Sequence, residues 1–193
     1  MLVLQDVAYS LYGSAQVDLS ASGMLVYRPG GPGLGRVTLQ KLDGRGGQQP
    51  LLPTPGTFLN PRVSPDGTRI LLSSREMTDL DLSVYDTRRG VMNPLVQYPA
   101  GAAPTAWAPF AIWTTDGKFV VFRGEGGMFW VRSDSFEEPH PLTRSALSQT
   151  PASFSPDGKT LLYYQGTGNA GIVGASESCA VFGREQWPGV ARS

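Results

Sequence analysis

The sequence predicts an all-β protein, and three observations carry that reading. A turn signature, Ser64-Pro65-Asp66-Gly67, returns at Ser155-Pro156-Asp157-Gly158 and, more loosely, at Thr114-Thr115-Asp116-Gly117. Each copy leads into a short apolar run: Ile70-Leu71-Leu72, Phe119-Val120-Val121-Phe122 and Leu161-Leu162-Tyr163-Tyr164. Glycine and proline supply 24 and 16 of the 193 residues, too many for helix interiors, and no window places apolar residues at helical spacing over three turns.

The turn chemistry is local. Pro65 presets φ for the second position of a type I turn, Ser64 caps the turn with its hydroxyl, and Gly67 takes the positive φ that returns the chain into a new strand. The runs that follow are apolar without alternation, so these strands need cover on both faces. A degenerate copy precedes them: Leu19-Ser20-Ala21-Ser22-Gly23 leads into Met24-Leu25-Val26-Tyr27, having lost the Pro and the Asp. The turn positions Ser22, Asp66, Asp116 and Asp157 lie 44, 50 and 41 residues apart, the period of four-stranded β-propeller blades. The expected architecture is a β-propeller of about four blades, one domain over residues 1–193, with repeats at 15–57, 58–102, 103–148 and 149–182. It accounts for the doubly apolar strands better than a β-sandwich with similar turns.

In chain order, Leu2-Val3-Leu4 and Val7-Ala8-Tyr9 offer a short strand with no turn partner before it, the kind of piece a propeller uses to close. The first repeat places strands at Gln16-Val17-Asp18-Leu19, at 24–27, at 36–41 and at Pro50-Leu51-Leu52. The glycine-rich stretch 30–35 lacks both the spacing of a phosphate loop and a following helix. Arg45-Gly46-Gly47 reads as the loop after a Leu42-Asp43-Gly44 turn. In the second repeat, 58–63 is innermost, 70–73 next, 82–86 third and 95–98 outermost, with Arg88-Arg89-Gly90 as a turn. Asp79 and Asp81 lack the oxygen-rich loop of a calcium site and are expected as solvated turn residues.

An insertion at 103–113 lengthens the third repeat and carries Trp107 and Trp113, expected in packing between blades rather than in a groove. The segment 127–131 continues that blade, and Asp134-Ser135 turns it toward Pro141-Leu142-Thr143. In the fourth repeat the pattern weakens after Gln165, leaving Ile172-Val173 and Ala180-Val181-Phe182 as weak third and fourth strands. The tail from 183 is poorly patterned.

Sixteen basic residues balance sixteen acidic ones, so overall charge steers the chain toward neither nucleic acid nor an anionic membrane. No segment approaches the ~18 apolar residues of a membrane span. Met1-Leu2-Val3-Leu4 runs directly into Gln5-Asp6, without the basic and apolar regions of a secretory signal. The single Cys179 and single His140 give neither an internal disulfide nor a histidine-cysteine metal set. No metal or cofactor is expected.

The turns Ser64-Pro65-Asp66-Gly67 and Ser155-Pro156-Asp157-Gly158, with the intervening strand Leu82-Ser83-Val84-Tyr85-Asp86, resemble the WD-like repeats of bacterial TolB-type β-propellers over about residues 15–165. They are similar in particular to propeller segments attached to bacterial kinases and peptidases. The resemblance implies a scaffold rather than a catalytic centre, in a family that is often extracytoplasmic. Propellers of that kind usually have six or seven blades, so four repeats leave three expectations open: a partial propeller, a truncated product, or a small ring completed by a second chain.

Enzyme motifs do not assemble. Gly174-Ala175-Ser176-Glu177-Ser178 lacks the second glycine of a nucleophile elbow, kinase motifs are absent, and Glu137-Glu138 falls in a turn region. The expected function is therefore a non-enzymatic scaffold or protein-binding module, with no catalytic residue. The alternative is the propeller portion of a hydrolase or lyase with its site in the channel. For a ligand site the candidates are Asn60, Arg62, Gln149 and Thr150, polar residues on innermost strands at the channel mouth, where contact with channel water would equally select them. A protein partner is expected, including a homodimer through blade faces, because an open arc of blades leaves apolar faces uncovered.

Overall fold

A computed structural model describes residues 4, 6–9, 15–31, 35–43, 45–76, 79–97, 110–166 and 178–183; for 75–76, 79–80 and 178–183 it describes the backbone only. Among the described residues every regular element is a strand, and the strands form four antiparallel sheets. The chain divides into two compact units, Met1–Ala103 and Pro104–Ser193, with two sheets in each.

In the first unit, β1 (Val17–Leu19), β2 (Leu25–Tyr27), β3 (Gln40–Leu42) and β4 (Gln48–Pro50) lie side by side in chain order. The second sheet repeats this order with longer strands: β5 (Phe58–Val63), β6 (Arg69–Glu76), β7 (Asp79–Asp86) and β8 (Val91–Gln97). Val26 of β2, with Leu39 just before β3 and Leu52 just after β4, meets Val63, Ile70, Leu72 and Tyr85 from the second sheet in one buried cluster. At about 25 cal/mol per Å² of apolar surface removed from water, such contact is what holds neighbouring blades face to face.

In the second unit, β9 (Ala111–Trp113), β10 (Phe119–Gly124), β11 (Gly127–Arg132) and β12 (His140–Pro141) form a four-stranded sheet. β13 (Ser148–Phe154), β14 (Thr160–Gly166) and β15 (Ser178–Gly183) form a sheet of three. Ile112, Val121 and Met128 bury against Leu161, with Trp130, Leu142, Phe154 and Tyr163 packed around them. Trp113 is buried in β9, as expected, whereas Trp107 lies outside the described residues.

The turns have the expected chemistry at atomic detail. Ser64 N–H donates to the Arg69 carbonyl at 2.8 Å, and Gly67 N–H donates to the Ser64 carbonyl at 2.8 Å. The Asp66 carboxylate accepts from Ser64 Oγ at 2.5 Å and from Thr68 N–H at 3.0 Å. Asp116 accepts in the same way from Thr114 Oγ1 and Lys118 N–H, and Asp157 from Ser155 Oγ and Lys159 N–H. Gly67, Gly117 and Gly158 sit at φ 74, 68 and 68°, values that glycine adopts without a Cβ penalty. In the degenerate first copy Ser20 Oγ accepts from Met24 N–H at 2.9 Å and lies 2.8 Å from Ser22 Oγ, so Ser22 occupies the place that Asp holds elsewhere.

The outer strands depart from expectation. The third strand of the first repeat was expected at 36–41 but is Gln40–Leu42, because Leu25–Tyr27 ends the ladder that would have paired earlier residues. Val37 instead bridges Gly56. The fourth was expected at 50–52 but is the wholly exposed Gln48–Pro50, since Leu52 turns into the core. Asp79 and Asp81 are not turn residues: β6 and β7 run on until Glu76 pairs with Asp79 and Ser74 with Asp81.

The segment 180–182, expected as a fourth strand, belongs to β15 and pairs directly with β14 as the third, because β14 takes the next strand available to its open edge. Ile172, Val173 and the tail 184–193 lie outside the described residues. The N-terminal segment is not without partners either. Val7 bridges Pro29 and Tyr9 bridges Ala15, so it joins its own first repeat, while Leu2 and Val3 lie outside the described residues.

Burial on both faces holds for β6 and β10: Ile70, Leu71 and Leu72 are 0, 1 and 0% exposed, and Val120, Val121 and Phe122 are 0, 0 and 1%. The fourth repeat breaks the rule. Leu161 is buried, Leu162 and Tyr163 are half-buried, and Tyr164 is 53% exposed.

Candidate functional site

Three of the four candidate polar residues, Asn60, Arg62 and Gln149, engage side chains of neighbouring segments. Asn60 sits at φ 49°, inside an irregularity of β5 between Leu59 and Arg62. That conformation takes its N–H out of the β5–β6 ladder, and the N–H donates to Gln16 Oε1 at 2.6 Å. Gln16 Nε2 in turn donates to Asn60 Oδ1 at 3.1 Å. Two residues on, Arg62 Nη1 lies 3.7 Å from Asp18 Oδ1, and Val63 N–H donates to Asp18 Oδ2 at 2.7 Å. Gln16 and Asp18 precede the Ser20 turn by the intervals at which Asn60 and Arg62 precede the Ser64 turn. The in-phase positions of the first two repeats thus grip one another.

Burial pushes the Asp18 carboxyl above its ordinary range; the Val63 N–H and the Arg62 charge pull it down by less.

In the second unit Gln149 is buried in β13 and spends both ends of its amide. Its Oε1 accepts from Thr143 Oγ1 at 2.5 Å, and its Nε2 donates to Gln165 Oε1 at 2.6 Å. Thr143 Oγ1 also accepts from Met128 N–H at 2.9 Å, so the chain of bonds runs from β11 to β14. Thr150 is half-buried opposite Tyr164. The sequence-predicted candidates therefore fall into two groups, Asn60 with Arg62 and Gln149 with Thr150, one in each unit. Their partners Gln16, Asp18, Thr143 and Gln165 were missed. For Gln16 and Asp18 the repeat phase is the signal that could have found them.

The single histidine, His140, stacks on Trp130 with centroids 4.4 Å apart and planes at 23°, and Phe119 meets Trp130 edge-on at 5.2 Å. Among the described residues no group of three or more His, Cys, Asp or Glu converges on one point, and no helix is long and apolar enough to cross a membrane.

No protein-family model matches the sequence, and neither does any curated protein sequence. Solved structures do resemble the fold. TolB from Acinetobacter baumannii aligns with a TM-score of 0.65 at 17% identity, over 89% of this chain and 41% of that one. An oligogalacturonate lyase from Vibrio parahaemolyticus aligns at 0.58 and 16% identity, over 80% of this chain and 47% of that one. A gluconolactonase from Xanthomonas campestris aligns at 0.56 and 14% identity, over 78% of this chain and 53% of that one. The chain spans about half the length of these structures. Likeness at such identity concerns the fold, and fold alone does not fix function. With its four antiparallel sheets and repeated turn, the chain has a TolB-like β-propeller fold.

Proposed function

We propose that the chain is a non-enzymatic scaffold that binds protein through the open face of its fourth repeat. One observation carries this reading. Counted from the turn serine, Leu162 corresponds to Leu71 and Val121, and Tyr164 to Ser73 and Arg123. Leu71, Val121 and Ser73 are 1, 0 and 1% exposed, whereas Leu162 is half-buried and Tyr164 is 53% exposed. Arg123 is half-buried, so this central-strand face is more open here than in the second and third repeats, and an apolar face with a tyrosine is the composition of an interaction surface. The engagement of Asn60, Arg62 and Gln149 with strand partners supports the same reading, since these groups serve the blades.

The test places a photo-crosslinking residue at position 164 and, as control, at the exposed position 125, and measures mass by light scattering. Capture of protein at 164 and not at 125, abolished by Leu162→Asp, is the expected result. A second copy as the captured partner gives a mass above 20.7 kDa that returns to the monomer value in Leu162→Asp. A monomer that captures nothing overturns the proposal, and turnover on a panel of esters, lactones and oligogalacturonides that disappears in Thr150→Val overturns it in favour of the hydrolase or lyase reading.

A further inference from the structure

The first repeat breaks the burial pattern from the opposite side. The residue just before each turn serine or threonine pairs with a core position of the strand beyond the turn: Leu19 with Leu25, Val63 with Ile70, Trp113 with Val120 and Phe154 with Leu161. Val63 and Trp113 are 6 and 8% exposed, Phe154 is half-buried, and Ile70, Val120 and Leu161 are buried. Leu19, by contrast, is 61% exposed and Leu25 is half-buried. Tyr27, two residues beyond Leu25 on the same face, is buried, so the opening lies at the Leu19 end.

Elsewhere this pair has a fixed partner. Val63 and Ile70 share a core with Val26 of the preceding repeat, and Leu161, with Phe154 beside it, shares one with Val121 of the preceding repeat. Val26 follows Leu25 by one residue, as Val121 follows Val120 and Leu162 follows Leu161. Leu162 therefore presents the half of the contact that Val26 and Val121 supply, and the Leu19–Leu25 pair presents the other half. Charge agrees with this match. Strands β13, β14 and β15 hold no charged residue. In the first sheet Leu42 and Gln48 continue the row from Leu25, while Asp18 and Lys41 pair with Val26 on the opposite face, where Asp18 meets Arg62. Neither surface carries an ion that docking would strip of water, whereas a charged partner would have to bury one unpaired.

We propose that the open face of the fourth repeat takes the first repeat of a second copy of this chain, docked head to tail so that Leu162 and Tyr164 of one copy meet Leu19 and Leu25 of the other. The inference rests on the binding role proposed for the fourth repeat and adds the partner. The contact extends the repeat-to-repeat packing of each unit by one period, from one chain into the next. The two surfaces differ, so the interface is heterologous, and two copies are the smallest set that closes it with neither face left open.

The experiment is complementation read by light scattering at micromolar concentration. The parent is expected at twice 20.7 kDa, and Leu19→Asp and Leu162→Asp each at 20.7 kDa. An equimolar mixture of the two variants regains the two-copy mass, because the intact fourth repeat of the Leu19→Asp chain docks on the intact first repeat of the Leu162→Asp chain. Tyr164→Asp, at an exposed position, replaces Leu162→Asp in the mixture where the latter folds poorly. A monomeric parent, a Leu19→Asp chain that keeps the parent mass, or a mixture that stays monomeric overturns the proposal. A monomeric parent that still captures a foreign protein through position 164 overturns the second copy alone and leaves the scaffold reading in place, whereas one that captures nothing overturns both.

Discussion

Gly67, in the turn of the second repeat, lies so close to Ser22, in the turn of the first, that a Cβ on the glycine would fall inside the Ser22 hydroxyl. Gly158 stands in the same relation to Thr115 in the second unit. Each of these glycines therefore answers two demands, a positive φ for its own hairpin and room for the turn of the preceding repeat.

Replacing Gly67 by Ala should destabilise the chain by more than the roughly 1–2 kcal/mol of a left-handed residue. Gly23→Ala, at φ 84° with nothing near its Cβ, should show the backbone cost alone. Urea unfolding of both, with Gly67→Ala in a Ser22→Gly background, measures the difference: the second change should recover the steric part. Equal losses for Gly23→Ala and Gly67→Ala would mean the turns do not press together.

The Asp66 carboxyl predicts an acid transition. Burial raises its pKa, but bonds from Ser64 and Thr68 and the charge of Arg69 outweigh that and hold it at about 2. An unfolded aspartate titrates near ~3.9. The folded value is depressed, so its stabilisation is full above about pH 4 and is lost as pH falls through about 2. Asp66→Asn keeps an oxygen acceptor and removes the charge. It should lower the urea midpoint at pH 6 and converge with the parent near pH 2.

Asp18 acts in the opposite sense. Its folded pKa is raised, so it favours the folded state at acid pH and loses that contribution as pH rises through the folded value. Asp18→Asn, which can still accept from Val63 N–H, should be at least as stable as the parent at pH 7, with the advantage shrinking toward pH 4. Asp18→Ala strands that N–H and should cost about 1–3 kcal/mol. Denaturant midpoints across pH decide; an Asn variant as damaged as the Ala variant would contradict the assignment.

Gln149→Met retains volume and removes both amide bonds. Thr143 and Gln165 lose partners inside the sheet, and about 1–3 kcal/mol of stability should go with them. Hydrogen exchange at Met128, whose N–H donates to Thr143, should accelerate in the variant more than at Val121, which the network does not touch.

The sequence by itself determined what is local in this fold. Ser64, Asp66 and Gly67 bond within their own turn, so the inner hairpins were legible from spacing and residue type alone. Strand β5 fell at its expected bounds and the starts of β6 and β10 within a residue, because each abuts such a turn. What depends on distant partners was decided by tertiary structure. The outer strands β3, β4 and β15 take their register from whichever edge is open, and no short signal encodes that edge. Asn60 and Arg62 looked like free polar groups because their partners, Gln16 and Asp18, lie 44 residues away. Burial likewise is a property of what packs around a side chain, and a sequence writes only the side chain: Leu71 and Leu162 hold the same place in their repeats, yet one is 1% exposed and the other half-buried.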